Sequence, residues 1–110
     1  MKIYKDKELT ELVEGNTLDL GIGLAGESHE YTFYIYNNLH AELKNLKFEV
    51  KPTVNRNFEK KISEEVAIKV APKEMSAKQI AELKIEWNPA VDIKSGLKAQ
   101  LHINGFEIWS

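Results

Sequence analysis

Residues 30–37, Glu-Tyr-Thr-Phe-Tyr-Ile-Tyr-Asn, form an unbroken run of strand-forming side chains that sets the terms for the rest of the chain. On a pleated strand successive side chains point to opposite faces, so Tyr31, Phe33 and Ile35 share one side and Thr32, Tyr34 and Tyr36 the other. Apolar or aromatic groups on both sides predict a central strand with one face in a core and the other part-covered. Asn37-Asn38 ends it. The same alternation then returns. Leu46, Phe48 and Val50 alternate with Lys47, Glu49 and Lys51 up to Pro52, and Ile62, Glu64, Val66, Ile68 and Val70 share one parity up to Ala71-Pro72. Leu83, Ile85 and Trp87 alternate with Glu82, Lys84 and Glu86, and Leu97, Ala99, Leu101 and Ile103 with Lys98, Gln100 and His102.

The connections carry their own signals. Asn104-Gly105 supplies the positive φ that a two-residue type I′ turn needs, which predicts a closing hairpin. That turn would set Ile103 against Phe106 and Leu101 against Ile108 on one face, with His102 opposite Glu107 on the other. Residues 2–4 read as a short edge strand. Residues 5–14 have helical spacing at Leu9, Leu12 and Val13 but are too short and charged to stand as a helix alone. Gly15-Asn16 marks a turn into a strand at 17–20 that ends in a glycine-rich loop. Residues 40–42 read as a connection, 53–61 as an exposed loop and 73–78 as a turn over Met75. The count is seven to nine short strands with no strong amphipathic helix. With the long 88–95 connection, it predicts an all-β fold, an immunoglobulin-like Greek-key β-sandwich in a single domain over 1–110, with 1–16 as its N-terminal edge segment.

Composition narrows the function classes. The 110 residues carry a net charge of −2 with 29% charged residues of both signs, which lacks the basic footprint of a non-specific nucleic-acid binder. There is no cysteine, so disulfides, thiolate catalysis and cysteine-ligated zinc are excluded together. A charge at Lys2 and the lack of an apolar run give neither a signal peptide nor a bilayer span, so a protein that is cytoplasmic when made is expected.

At this point a resemblance emerges. Leu18-Asp19-Leu20-Gly21, then Ala25-Gly26-Glu27-Ser28, then a strand ending Tyr36-Asn37-Asn38 resembles the opening of immunoglobulin-like domains of the abnormal-spindle/hydin (ASH) type. The later half is similar too, with Val70-Ala71-Pro72, the run from Ala81 to Trp87, Asn88-Pro89 and Gly96 to Ile103. The resemblance spans roughly residues 17–105 and implies a non-enzymatic binding or scaffolding module. Free-standing, cysteine-free sandwiches of this size also resemble accessory proteins on bacteriophage heads and tails. They imply an accessory virion protein (capsid or tail decoration) whose partners are capsid or tail subunits or the chain itself.

Candidate chemistry is thin. Gly21-Ile22-Gly23-Leu24-Ala25-Gly26 spells the dinucleotide fingerprint, but that motif must open a helix and here a strand follows, so a kinked strand and turn are expected. His29, His40 and His102 are scattered, and the carboxylates Glu49, Glu82 and Glu86 sit on solvent parity. No residue is assigned a catalytic, cofactor-binding or metal role, and no cofactor is expected. Tyr34, Tyr36 and Trp109 fall on the outward parity and are the candidate interface residues. Two alternatives stand beside the virion reading: a cytoplasmic adaptor-like module that binds a peptide by strand addition, and a carbohydrate-binding sandwich using exposed aromatic rings.

Overall fold

The computed structural model describes residues 1–52, 66–89 and 92–109. Seven strands run through them: β1 (Lys2–Tyr4), β2 (Thr17–Gly23), β3 (His29–Tyr36), β4 (Ala41–Pro52), β5 (Val66–Val70), β6 (Ile80–Trp87) and β7 (Ile93–Trp109). They form two antiparallel sheets, one of four strands in the order β1-β3-β6-β5 and one of three in the order β2-β7-β4. The fold is an all-β sandwich. No helix longer than the single 3₁₀ turn Glu14–Asn16 is present among the described residues.

The period-two pattern decides what lies between the sheets. Phe33 and Ile35 of β3 face Leu83 and Ala81 of β6, and Leu83, Ile85 and Trp87 are fully buried. From the other sheet Leu18, Leu20, Val50, Leu97, Ala99 and Leu101 close the same apolar cluster. Met75 plugs it as expected, buried under the 73–78 turn and bridged to Leu43. Ile3 anchors the edge strand β1, and the expected ambiguity of 5–14 resolves to a loop. There the Asp6 carboxylate takes the Thr10 and Glu11 amides, a local alternative to helix.

Four sequence expectations are corrected. The Asn104-Gly105 hairpin does not form: β7 runs straight through it, and neither residue has positive φ. Ile103 pairs instead with Phe48, Phe106 with Lys44, His102 with Glu49 and Glu107 with Leu43. The glycine is there for closeness. A Cβ on Gly105 would lie 2.7 Å from Leu46 Cδ2 and 3.0 Å from the Lys44 carbonyl oxygen. It faces a bulge between Lys44 and Lys47, where Asn45 takes φ +54. The bulge switches the buried parity of β4 from Ala41 and Leu43 to Leu46 and Val50. Second, β4 begins at Ala41, so 41–42 belong to a strand and not to a connection. Third, β7 starts at Ile93, which shortens the expected 88–95 connection. Fourth, Val70 is exposed, because the β5–β6 register slips between Ile68 and Val70. The predicted loop at 53–61, and Ile62 and Glu64, lie outside the described residues.

Polar side chains pin the layers together. The Tyr31 hydroxyl on β3 donates to the Leu20 carbonyl on β2, crossing from one sheet to the other. Asn37, fully buried, donates from Nδ2 to the carbonyls of Ala41 (2.8 Å) and Ser76 (2.9 Å) and accepts from the Leu39 amide. It thereby ties the β3–β4 turn to the one before β6.

Replacing Asn104 with Thr is expected to change stability by less than about 0.5 kcal/mol, because a β-branched residue suits an exposed strand position. Gly105→Ala should cost about 1–3 kcal/mol by overpacking. Urea denaturation of both variants checks this, and a large loss from Asn104→Thr would restore the hairpin. A second outcome concerns pH. Burial, reinforced by the Asp19 carboxylate, holds the Tyr31 phenol above its ordinary value of 10.0. The fold keeps the neutral form, so this stabilisation is intact below the unfolded-state value near 10 and is lost as pH rises through the higher folded-state value. Tyr31→Phe should lower stability by about 1 kcal/mol at neutral pH. It should also flatten the fall that wild type shows above about pH 10, read from denaturation midpoints across pH.

Candidate interaction surfaces

The predicted aromatic residues fall on two different sheets. Tyr34 and Tyr36 point outward from β3, half-buried, with Tyr4 of β1 directly opposite Tyr34 and Lys2 opposite Tyr36. On the other flank Glu82 lies opposite Tyr34, and Ile80 opposite Tyr36. Three tyrosines thus share the outer face of the four-stranded sheet, and β1 supplies the partial cover. Trp109 belongs to the other sheet. It pairs with Ala41, is 60% exposed, and its indole N–H donates to Glu107 Oε2 at 3.2 Å. The structure therefore brings Tyr34 and Tyr36 together and leaves Trp109 apart, exposed but on the inward parity of β7 that Leu97, Ala99 and Leu101 share and not on the outward one expected.

Phe106 and Ile108 are the residues that the sequence reading misplaced. With the hairpin they would be core; on the continuous strand they point outward and are 65% and 49% exposed. Their neighbours on β4 are Lys44 and Glu42. The Lys44 ammonium is 3.0 Å from Glu74 and 3.6 Å from Glu42, and the hydrogen bond to Glu74 raises its pKa. No local signal reveals this surface, because the apolar positions change parity across Asn104-Gly105, from Leu101 and Ile103 to Phe106 and Ile108, just as a two-residue hairpin would require.

The edge of β7 matters as much as its side chains. Pairing with β2 stops at Gln100, whose partner is Thr17. Beyond it, the stretch 101–109 pairs with β4 on one side and with no described residue on the other. Two hollows flank Gly105 there. One, of about 880 Å³, is lined by residues that include Lys47, Lys73, Glu74 and Phe106. The other, of about 260 Å³, is bordered by Met1, Asn16, Leu39, Leu43, Leu46 and Ile103.

The remaining motifs take structural roles. Gly21, at φ +72, sits at a register shift in β2, and Gly26, at φ +85, is in the following turn. A Cβ on Gly23 would lie 2.6 Å from Cη2 of Trp87. The glycines of this stretch thus serve a kinked strand, a turn and a close approach, as expected. His29 Nε2 is 3.3 Å from Glu27 Oε1, and the ring lies tilted on Trp87 with centroids 5.6 Å apart. His40 is exposed in the β3–β4 turn and His102 faces Glu49. Among the described residues no three His, Cys, Asp or Glu side chains gather as a metal ion would require, and no helix is long and apolar enough to cross a membrane.

No protein-family model matches this chain, and neither does a curated protein or a solved structure. The two aromatic sites should behave differently. Tyr34→Ala removes packing against Tyr4 and should cost about 1 kcal/mol, whereas Trp109→Ala should stay within about 0.5 kcal/mol. Guanidinium denaturation of each variant measures this.

Proposed function

We propose that the chain is an immunoglobulin-like, non-enzymatic structural module that binds protein, and that its setting is an accessory position on a virion, decorating a capsid or tail. The strand orders support the fold part of this reading. β1-β3-β6-β5 corresponds to the A-B-E-D sheet of a constant-type immunoglobulin domain, and β4 and β7 take the places of C and F. β2 occupies the position beside F that the last strand would hold. The virion setting follows from the resemblance to small phage accessory sandwiches.

One observation carries the binding role: the large exposed apolar groups Phe106, Ile108 and Trp109 collect on the end of one strand whose edge is open among the described residues. Exposed aromatic and aliphatic groups beside an unpaired edge are what a protein contact uses. The same edge also favours the adaptor reading, in which an extended peptide adds a strand there. Sugar binding would want a row of exposed rings. The tyrosines are half-buried, however, and Phe106 and Trp109 have opposite parity on β7.

Co-sedimentation separates these readings. The purified chain should pellet with assembled phage heads or tails stripped of their accessory proteins, and should remain in the supernatant with dissociated subunits. A chain that ignores the particles but is retained on immobilised extended peptides, and loses that retention with Ile108→Pro, is an adaptor instead.

A further inference from the structure

The other edges near β7 are managed. The outer edge of β2 is kinked by register shifts at Asp19/Gly21 and Gly21/Gly23. β1 is bridged by Leu12 and receives the Val13 amide at Ile3. The outer edge of β4 is taken at Leu43 and Leu46 by Met75 and Lys73. Among the described residues the 101–109 edge has none of these devices: it contains no proline, lysine or arginine, and the extra residue of the bulge sits on β4, not on β7. Such an edge templates another strand.

We infer that this edge pairs with the same edge of a second copy, antiparallel across a two-fold axis, so that two three-stranded sheets become one of six. The inference rests on reading the chain as a protein-binding module and names its partner. An antiparallel pair of identical strands is self-complementary, so one surface provides both halves. With Phe106 opposite its own mate, residue numbers across the pair add to 212, which sets Ile103 against Trp109, Asn104 against Ile108 and Gly105 against Glu107. Each Trp109 then meets the hollow bordered by Met1, Leu39, Leu43, Leu46 and Ile103 of the other copy. Each Glu107 lies against a glycine and not against the other carboxylate, which would repel it. A foreign strand would have to bring matching apolar groups, whereas the second copy already carries them.

Size sets the strength. Large aromatic side chains bury roughly 150–250 Å² each, so Phe106, Ile108 and Trp109 at their present exposures offer about 300 Å² of side chain per copy. With the backbone the pair approaches about 1,000 Å² in total, the lower limit for a specific interface. The dimer is reversible and concentration-dependent.

Sedimentation velocity from about 5 to about 500 µM, the range that reports a micromolar Kd, should show a monomer–dimer equilibrium. Ile108→Lys, at an exposed position and with its fold checked by circular dichroism, should weaken it at least tenfold. The natural chain has no cysteine, so Phe106→Cys is diagnostic. Facing Cα atoms of an antiparallel pair lie about 4.5–5.5 Å apart, within disulfide range. Under mild oxidation it should form a covalent dimer, while Glu82→Cys on the opposite sheet remains monomeric. A single monomer at every concentration, or cross-linking through residue 106 no faster than through residue 82, overturns the self-pairing. Binding to another protein would stand, because co-sedimentation with particles tests that separately.

Discussion

β4 is held along its whole length because β7 does not stop at Asn104-Gly105. β2 and β4 do not pair with each other; each is held to the sheet through β7, β2 along Ile93 to Gln100 and β4 along Ala99 to Trp109. Leu97, Ala99 and Leu101 face the core from its middle and are buried almost completely. Were the strand to fold back at Gly105, Ala41 to Lys44 would lose their partners and Leu43 would lose the neighbour on its inner side. The bulge in β4 absorbs the mismatch: one extra residue turns Leu46 inward, and the missing Cβ of Gly105 makes room for it.

The two layers are joined by few polar contacts, each at a place where apolar packing alone would not fix the alignment. Tyr31 reaches from β3 to the backbone of β2, beside the apolar contact in which the ring carbons of Trp87 on β6 close on Gly23. Asn37 does comparable work at the far end, because its amide satisfies two buried carbonyls from different turns. Sheet register is specified by side-chain parity, but the sliding of one sheet over another is not, and directional bonds supply what dispersion leaves open.

Much of this was legible in the residues. The parity of Phe33, Ile35, Leu83, Ile85, Trp87, Leu97, Ala99 and Leu101 is local and predicts both strands and burial. The all-β sandwich, the edge strand at the N-terminus, the plug at Met75 and the kinked glycine stretch follow from it. What was not legible depends on partners distant in sequence. Asn-Gly favours a turn when nothing competes, but pairing with the length of β4 gives more than a two-residue turn can return, and no local rule weighs the two. The same error hid Phe106 and Ile108 as core. Tyr34 and Tyr36 were legible as outward-facing, whereas their separation from Trp109 required knowing which sheet each strand joins.

The pairing of β2 has a consequence for synthesis. Thr17 bonds to Gln100 through its hydroxyl across 83 positions of chain. During synthesis β2 waits without its mate until β7 has emerged, its leucines facing solvent or whatever else is near. Closure of long loops is slow, and unpaired strands invite wrong neighbours. The nascent molecule therefore acquires its second layer late and in one step, and the glycines at 21 and 23 make the waiting segment a poor template for strangers in the meantime.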